Sequence, residues 1–215
     1  MATRAFLIAF LCLLPVLAGA DQPAVYLGSV SGPLQTACVL VVPGGAGAPL
    51  NQASTPWGAL IDATISVTVI DEYLIPVAYF PHDDIWLQFE AAPGTVADCT
   101  WGTARSFPAD RDTDFQGRTV FRLPLPGGGG SPGPVTLYLN GSPAPALGGG
   151  TVPPLPLQVN SPDLNGDRVV DLRDVVLFAG DIFGAYHLRS DLQRDGAVNL
   201  PDIVILARYM GADCR

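Results

Sequence analysis

Through the first two-thirds of the chain, hydrophobic residues fall on alternate positions in short runs separated by Gly and Pro. In Thr64-Ile65-Ser66-Val67-Thr68-Val69 apolar side chains alternate with hydroxyls, the period-2 signature of a strand with one buried face. Ile85, Leu87 and Phe89 share one phase of the run from 85 to 90, with Trp86 on the other. Runs 118–123, with Arg118 and Arg122 outward, and 135–140 repeat the pattern. Leu155, Leu157 and Val159 form a last strand, which Pro154 and Pro156 place at a sheet edge. With 24–30, 36–42 and 74–80 added, about eight strands are predicted, and no helical period interrupts them. An antiparallel two-sheet sandwich buries so many one-sided strands most simply. The Gly/Pro tracts 126–134 and 143–154 lie between apolar strands and are read as long surface loops.

At Asn160 the period changes. Leu172, Val175, Val176 and Ala179 recur at helical spacing, as do Leu200, Ile203, Val204 and Ala207. The segment also repeats itself. Asp163–Ala179 aligned with Asp191–Ala207 gives eight identities in 17 pairs at an offset of 28 residues. The predicted fold is thus an all-β N-terminal domain, 21–160, followed by a small all-α domain, 161–215.

The repeat carries the chain's most specific chemistry. Calcium is a hard cation that takes six to eight oxygens, and a twelve-residue loop supplies them from positions 1, 3, 5, 7, 9 and 12, using the main-chain carbonyl at position 7. In the first repeat these positions are Asp163, Asn165, Asp167, Val169, Asp171 and Asp174; in the second, Asp191, Gln193, Asp195, Ala197, Asn199 and Asp202. Ten of the twelve bear side-chain oxygen, and Val169 and Ala197 fall where only a carbonyl is needed. Asp174 and Asp202 open their helices, where the helix dipole also favours a carboxylate. The competing reading, aspartates that merely cap helices and form turns, explains one loop far better than two in register.

A duplicated loop with an exit helix, Asp at position 12 and no clear entering helix resembles a type I dockerin, and Asp163-Leu164-Asn165-Gly166-Asp167-Arg168-Val169 is close to that family's loop pattern. The resemblance implies two bound calcium ions, folding coupled to calcium, and a helix face that docks a cohesin module. The pattern departs at three places. Arg168 stands at position 6, where glycine normally makes the sharp turn, and Gln193 stands at position 3. Leu172-Arg173 and Leu200-Pro201 replace the Ser-Thr pair through which family members contact cohesin. The N-terminal region has a looser resemblance to bacterial immunoglobulin-like domains of the invasin/intimin group, through Asp71-Glu72 before Ile75-Pro76-Val77 and Thr113-Asp114-Phe115-Gln116-Gly117 before a strand. That resemblance implies a spacer or adhesion module.

Composition and charge narrow the setting. Arg4, the apolar run 5–14 and Ala18-Gly19-Ala20 before Asp21 have the layout of a secretory signal peptide, 1–20. The mature chain is therefore expected to be secreted, extracellular or at a cell surface, with no membrane span. Every basic residue is Arg, and removing Arg4 takes the formal net charge from −9 to −10, which excludes nucleic acid as a partner. Of Cys38, Cys99 and Cys214, the pair Cys38–Cys99 is the expected disulfide because both lie in the β region. No nucleophile motif or phosphate loop is present, and Glu72 and Glu90 show no acid/base spacing. His82-Asp83-Asp84 is read as an interstrand loop rather than a metal site. The expectation is a non-catalytic protein. A carbohydrate-binding module or minor hydrolase acting on polysaccharide stands as the alternative, with Trp86 the most suspect of Trp57, Trp86 and Trp101. A surface component using calcium only for rigidity is the other.

Overall fold

The computed structural model describes residues 24–89, 96–99 and 106–215. The signal segment, Glu90 and Trp101 lie outside the described residues. Among the described residues the chain is mostly strand, in several sheets, with two short α-helices, α1 (Leu172–Ile182) and α2 (Leu200–Arg208). No helix among them is long and apolar enough to cross a membrane.

The clean alternation of 64–69, 85–90 and 135–140 gives strands of seven, five and five residues. One antiparallel sheet contains β1 (Val25–Ser31), β5 (Ile65–Asp71) and β9 (Arg118–Phe121), with β5 in the middle. A second contains β6 (Ile85–Phe89), β8 (Ser106–Pro108), β11 (Val135–Leu139) and β12 (Ser142–Pro143) in the order β12-β11-β6-β8. A third contains β2 (Ala37–Leu40), β3 (Ala53–Ser54), β4 (Leu60–Ile61) and β13 (Leu157–Asn160), ordered β13-β2-β3-β4. The short β7 (Ala97–Asp98) and β10 (Gly127–Gly128) pair separately. Ile85, Leu87 and Phe89 are fully buried, as their phase requires, and join Ile65, Phe107, Phe121, Leu137 and Leu157 in one core. The edge position expected for the last strand holds, but it runs parallel to β2, so the sheets are not all antiparallel.

Four expectations are corrected. The segment 74–80 is not a strand. Leu74 and Tyr79 have left-handed φ of 65° and 58°, Asp71 Oδ1 accepts from the N–H groups of Tyr73 and Ile75, and a single bridge joins Ile70 to Pro76. The side chain of Asp71 thus closes a local turn that competes with the ladder. The Gly tract 126–134 is not a surface loop either: Gly127, Gly128 and Gly129 are buried and run beneath the first acidic loop. The disulfide joins Cys99 to Cys214 across 115 residues, and Cys38 is a buried free thiol.

The fourth correction is the largest. The C-terminal segment is not a separate all-α domain. Two helices of 11 and 9 residues are marginal by themselves. Their small cluster of Leu164, Val170, Phe178, Leu192 and Leu206 is packed by neighbours from the same segment and by Leu40 from β2. Backbone bonds from Gly129 N to Asp163 O (2.7 Å) and the Asn160 Nδ2 bond to Asp191 O (2.6 Å) seat both acidic loops on the β body. The Cys99–Cys214 bridge fixes the far end.

Candidate metal centre

The two acidic loops have the same backbone. Positions 4 and 6 are left-handed in both, as Gly166 (φ 71°) and Arg168 (73°) in the first and Arg194 (59°) and Gly196 (86°) in the second. Position 9 is the extended N-cap of the exit helix in each, Asp171 before α1 and Asn199 before α2. The glycine of each loop takes one of the two strained positions and an arginine takes the other, so each loop holds one non-glycine residue at a cost of about 1–2 kcal/mol. Position 4 escaped the sequence reading, which looked for glycine at position 6 alone.

The first and last acidic positions organise each loop. Asp163 Oδ1 accepts from Gly166 N (2.9 Å) and Asp167 N, and its Oδ2 from Arg168 N (2.8 Å). Asp174 Oδ1 accepts from Leu164 N and Asn165 N, and its Oδ2 from Asp171 N. In the second loop Asp191 accepts from Asp195 N, Gly196 N and the Tyr186 hydroxyl. Asp202 accepts from Leu192 N, Gln193 N and Asn199 N. The 28-residue repeat is therefore a repeat of hydrogen bonds as well as of letters. Tyr186 is a further participant that spacing did not reveal. Burial and its bond to Asp191 push its hydroxyl up to about 12.

The remaining predicted ligands line the open side of each loop. Asn165 Nδ2 donates to Asp167 Oδ2, which also receives Arg173 Nη1 at 2.9 Å from the exposed side. Gln193 Nε2 and Asn199 Nδ2 both donate to Asp195 Oδ2. Among the described residues the Val169 and Ala197 carbonyls accept no backbone hydrogen bond. Asp171 Oδ1 is taken by the N–H of Arg173, and its Oδ2 lies 4.0 Å from Arg173 Nε. Among the described residues no three carboxylate, His or Cys side chains close into a tight metal cluster. The donor set is instead spread over carboxylates, amides and carbonyls, the mixture that suits a large, hard cation.

Electrostatics gives the fit its weight. Asp163, Asp174 and Asp202 are 0% exposed and Asp191 is 1% exposed, and among the described residues none of the four is in an ion pair. Burial pushes the Asp163 carboxyl up to about 7 against the N–H of Arg168, and the charges of Asp174 and Asp167 add to the rise. Burial likewise raises Asp174 and Asp202 against their backbone donors. Buried carboxylates cost several kcal/mol each unless a cation or a full hydrogen-bond set compensates them. A nearby structural carboxylate shows the contrast. Burial alone would raise Asp181, but bidentate Arg189 (2.7 and 2.9 Å) and the Ser190 hydroxyl hold it below the usual range.

Among the described residues the other candidates do not assemble. His82 is held by Asp112 Oδ1 at 2.7 Å and by Asp83 in an exposed turn. Glu72 is exposed in its turn. Trp57 is exposed, and Trp86 is half-buried and stacked on Tyr138 with ring centroids 5.4 Å apart. Compared with family models, with curated protein sequences and with solved structures, the chain gives no match.

Proposed function

We propose that this chain is a secreted, non-catalytic, calcium-binding protein in which two calcium-loaded loops hold a duplicated helical face on a β body and present it to a protein partner. The observation that carries the calcium assignment is the four buried carboxylates of Asp163, Asp174, Asp191 and Asp202, in no ion pair among the described residues and repeated in the same positions of two loops. Calcium would supply the counter-charge that no ion pair provides. Asp163, Asn165, Asp167, the Val169 carbonyl, Asp171 and Asp174 would hold one ion, and Asp191, Gln193, Asp195, the Ala197 carbonyl, Asn199 and Asp202 the other. Bound calcium supplies charge neutralisation and fixed loop geometry, with no chemistry on a substrate. For the side-chain amides to serve, Asn165 and Gln193 turn their oxygens inward, a rotation that leaves the backbone in place.

The docking half of the reading rests on a second repeated feature. Leu172 and Leu200 are 73% and 72% exposed, and Val176 and Val204, one turn on, are 71% and 66% exposed. Equivalent positions of both helices thus offer the same apolar side chains to solvent, which a tail serving rigidity alone does not require. A dockerin-type tail of this kind fits a cohesin-like protein module, with Leu172-Arg173 and Leu200-Pro201 replacing the usual polar contacts. The β body serves as the spacer or adhesion module that carries it.

Calorimetric titration of the whole mature chain with calcium tests the reading. Two binding events per chain at millimolar affinity or tighter are expected. Absence of heat up to about 10 mM calcium would contradict the assignment.

A further inference from the structure

Arg194 is the one charged group of the second loop with no evident use. It is 2% exposed, and among the described residues its Nε and Nη2 are buried without an acceptor. Its Nη1 reaches Gln158 Oε1, at 3.4 Å, and the same oxygen receives the Cys38 thiol. Burial works against its charge, while the charge of Asp191 favours it. A buried guanidinium this poorly paired is costly and needs a reason. Its place in the loop supplies one. Arg194 is position 4, three residues after the first ligand, Asp191, and left-handed.

We propose that Arg194 is an internal counter-cation that makes the second loop the weaker calcium site and the first to release its ion, opening the seam between that loop and β2 as calcium falls. This rests on the calcium reading above. Loop one carries four carboxylates among its ligands and an uncharged Gly166 at position 4; loop two carries three carboxylates and Arg194. Loop one has its own arginines, but they differ in kind. Arg173 meets Asp167 from a side chain 75% exposed, where water screens it and it swings away when a cation enters. Arg168 stands at position 6 and is only half-buried. Arg194 is enclosed by the β body and stays where it is. A buried positive charge that feels the charge of Asp191, the loop's first acidic position, opposes a divalent ion there with little screening. Before calcium arrives, the same charge partly neutralises the empty loop, so it favours the released state twice over. Gln158 Oε1 receives both Arg194 and the Cys38 thiol, so release of loop two is expected to uncover that thiol.

Calcium titration of the full chain, alongside Arg194→Gln and Arg194→Lys, tests the proposal. Asp202→Asn identifies the loop-two event by abolishing it. The wild type is expected to show loop two as the weaker site. R194Q should tighten that event about tenfold, whereas R194K, which keeps the charge, should leave it weak. Reactivity of Cys38 toward Ellman's reagent should rise at the calcium concentration where loop two empties, and that point should move lower in R194Q. Unchanged loop-two affinity in R194Q, or equal behaviour of R194Q and R194K, would overturn the proposal while calcium binding stands. If none of the chains takes up calcium, the calcium reading itself fails.

Discussion

At the residue scale the two loops are governed by a handful of backbone positions where only certain side chains fit. Gly128 is one, and it lies outside the loops: a Cβ there would overlap Oδ2 of Asp163. Gly196 is another, but its φ of 86° is the only obstacle, because nothing lies within 4 Å of a built Cβ. The two therefore predict different outcomes. Gly196→Ala should cost about 1 kcal/mol of stability through strain alone and leave calcium stoichiometry at two. Gly128→Ala must displace the first ligand of loop one, so it should lose about 1–3 kcal/mol and weaken one calcium event selectively. Urea unfolding and calorimetry of the pair distinguish them; equal effects on calcium would mean that Asp163 is not a ligand. The equivalence of the two loops was legible in the sequence, because the 28-residue repeat fixes spacing whatever the surrounding fold. Arg194 was not legible as a special residue, because burial by a partner surface leaves no mark on local spacing. For the same reason nothing in the sequence tied Tyr186 to Asp191.

At the scale of elements, capping and charge explain why two short helices persist. Asp174 and Asp202 each accept the backbone N–H of their N-cap residue, and each also gathers two N–H groups from the start of its loop. Loop and helix are thus one cooperative unit. Its electrostatics predicts a pH dependence. The folded Asp163 carboxyl sits at about 7 against an ordinary 3.8, so its contribution to the metal-free fold is fully present below about pH 4 and is lost as pH rises through 7. Asp174 and Asp202 shift the same way. Asp181 shifts the opposite way and loses its contribution only in acid, as pH falls below the usual carboxylate range. Chelated protein should therefore be less stable at pH 8 than at pH 5, by roughly 2–4 kcal/mol. Added calcium should raise the melting temperature more at pH 8, and a calcium effect independent of pH would mean that the buried carboxylates are not its ligands. Alternation was a good guide to the elements wherever one face packs against the core, as for β6 and β11. It failed at 74–80, where Asp71 closes a turn, and at 126–134, where glycines pack closely against another backbone and carry no side-chain pattern at all.

At the scale of the whole molecule, the change of sequence grammar at Asn160 did not mean an independent tail. β13 ends there, and Asn160 itself, 1% exposed, holds the carbonyl of Asp191. Leu40 of β2 packs into the tail's small core, and the segment 211–214 pairs back on the first loop through Val170 N to Ala212 O and Cys214 N to Arg168 O. Cys99–Cys214 closes this arrangement. Region of origin is a poor guide to disulfide pairing when two regions share an interface, which is why Cys38 was assigned in error. Cys214→Ser should cost about 2–4 kcal/mol and weaken loop one more than loop two, since the lost bridge anchors the strand that pairs with Arg168 and Val170. A thermal melt and calcium titration of that variant check it; a larger effect on loop two would contradict the seating described.

The central claim is that the repeated carboxylates are two calcium sites built onto a β body, and anomalous diffraction from crystals of the mature chain grown with calcium tests it most directly. Two anomalous peaks are predicted, one in each loop, about 2.3–2.6 Å from the oxygens of Asp163, Asp167 and Asp174 and of Asp191, Asp195 and Asp202. Loops free of anomalous density at millimolar calcium, with the same four aspartates still buried and unpaired, would contradict the account.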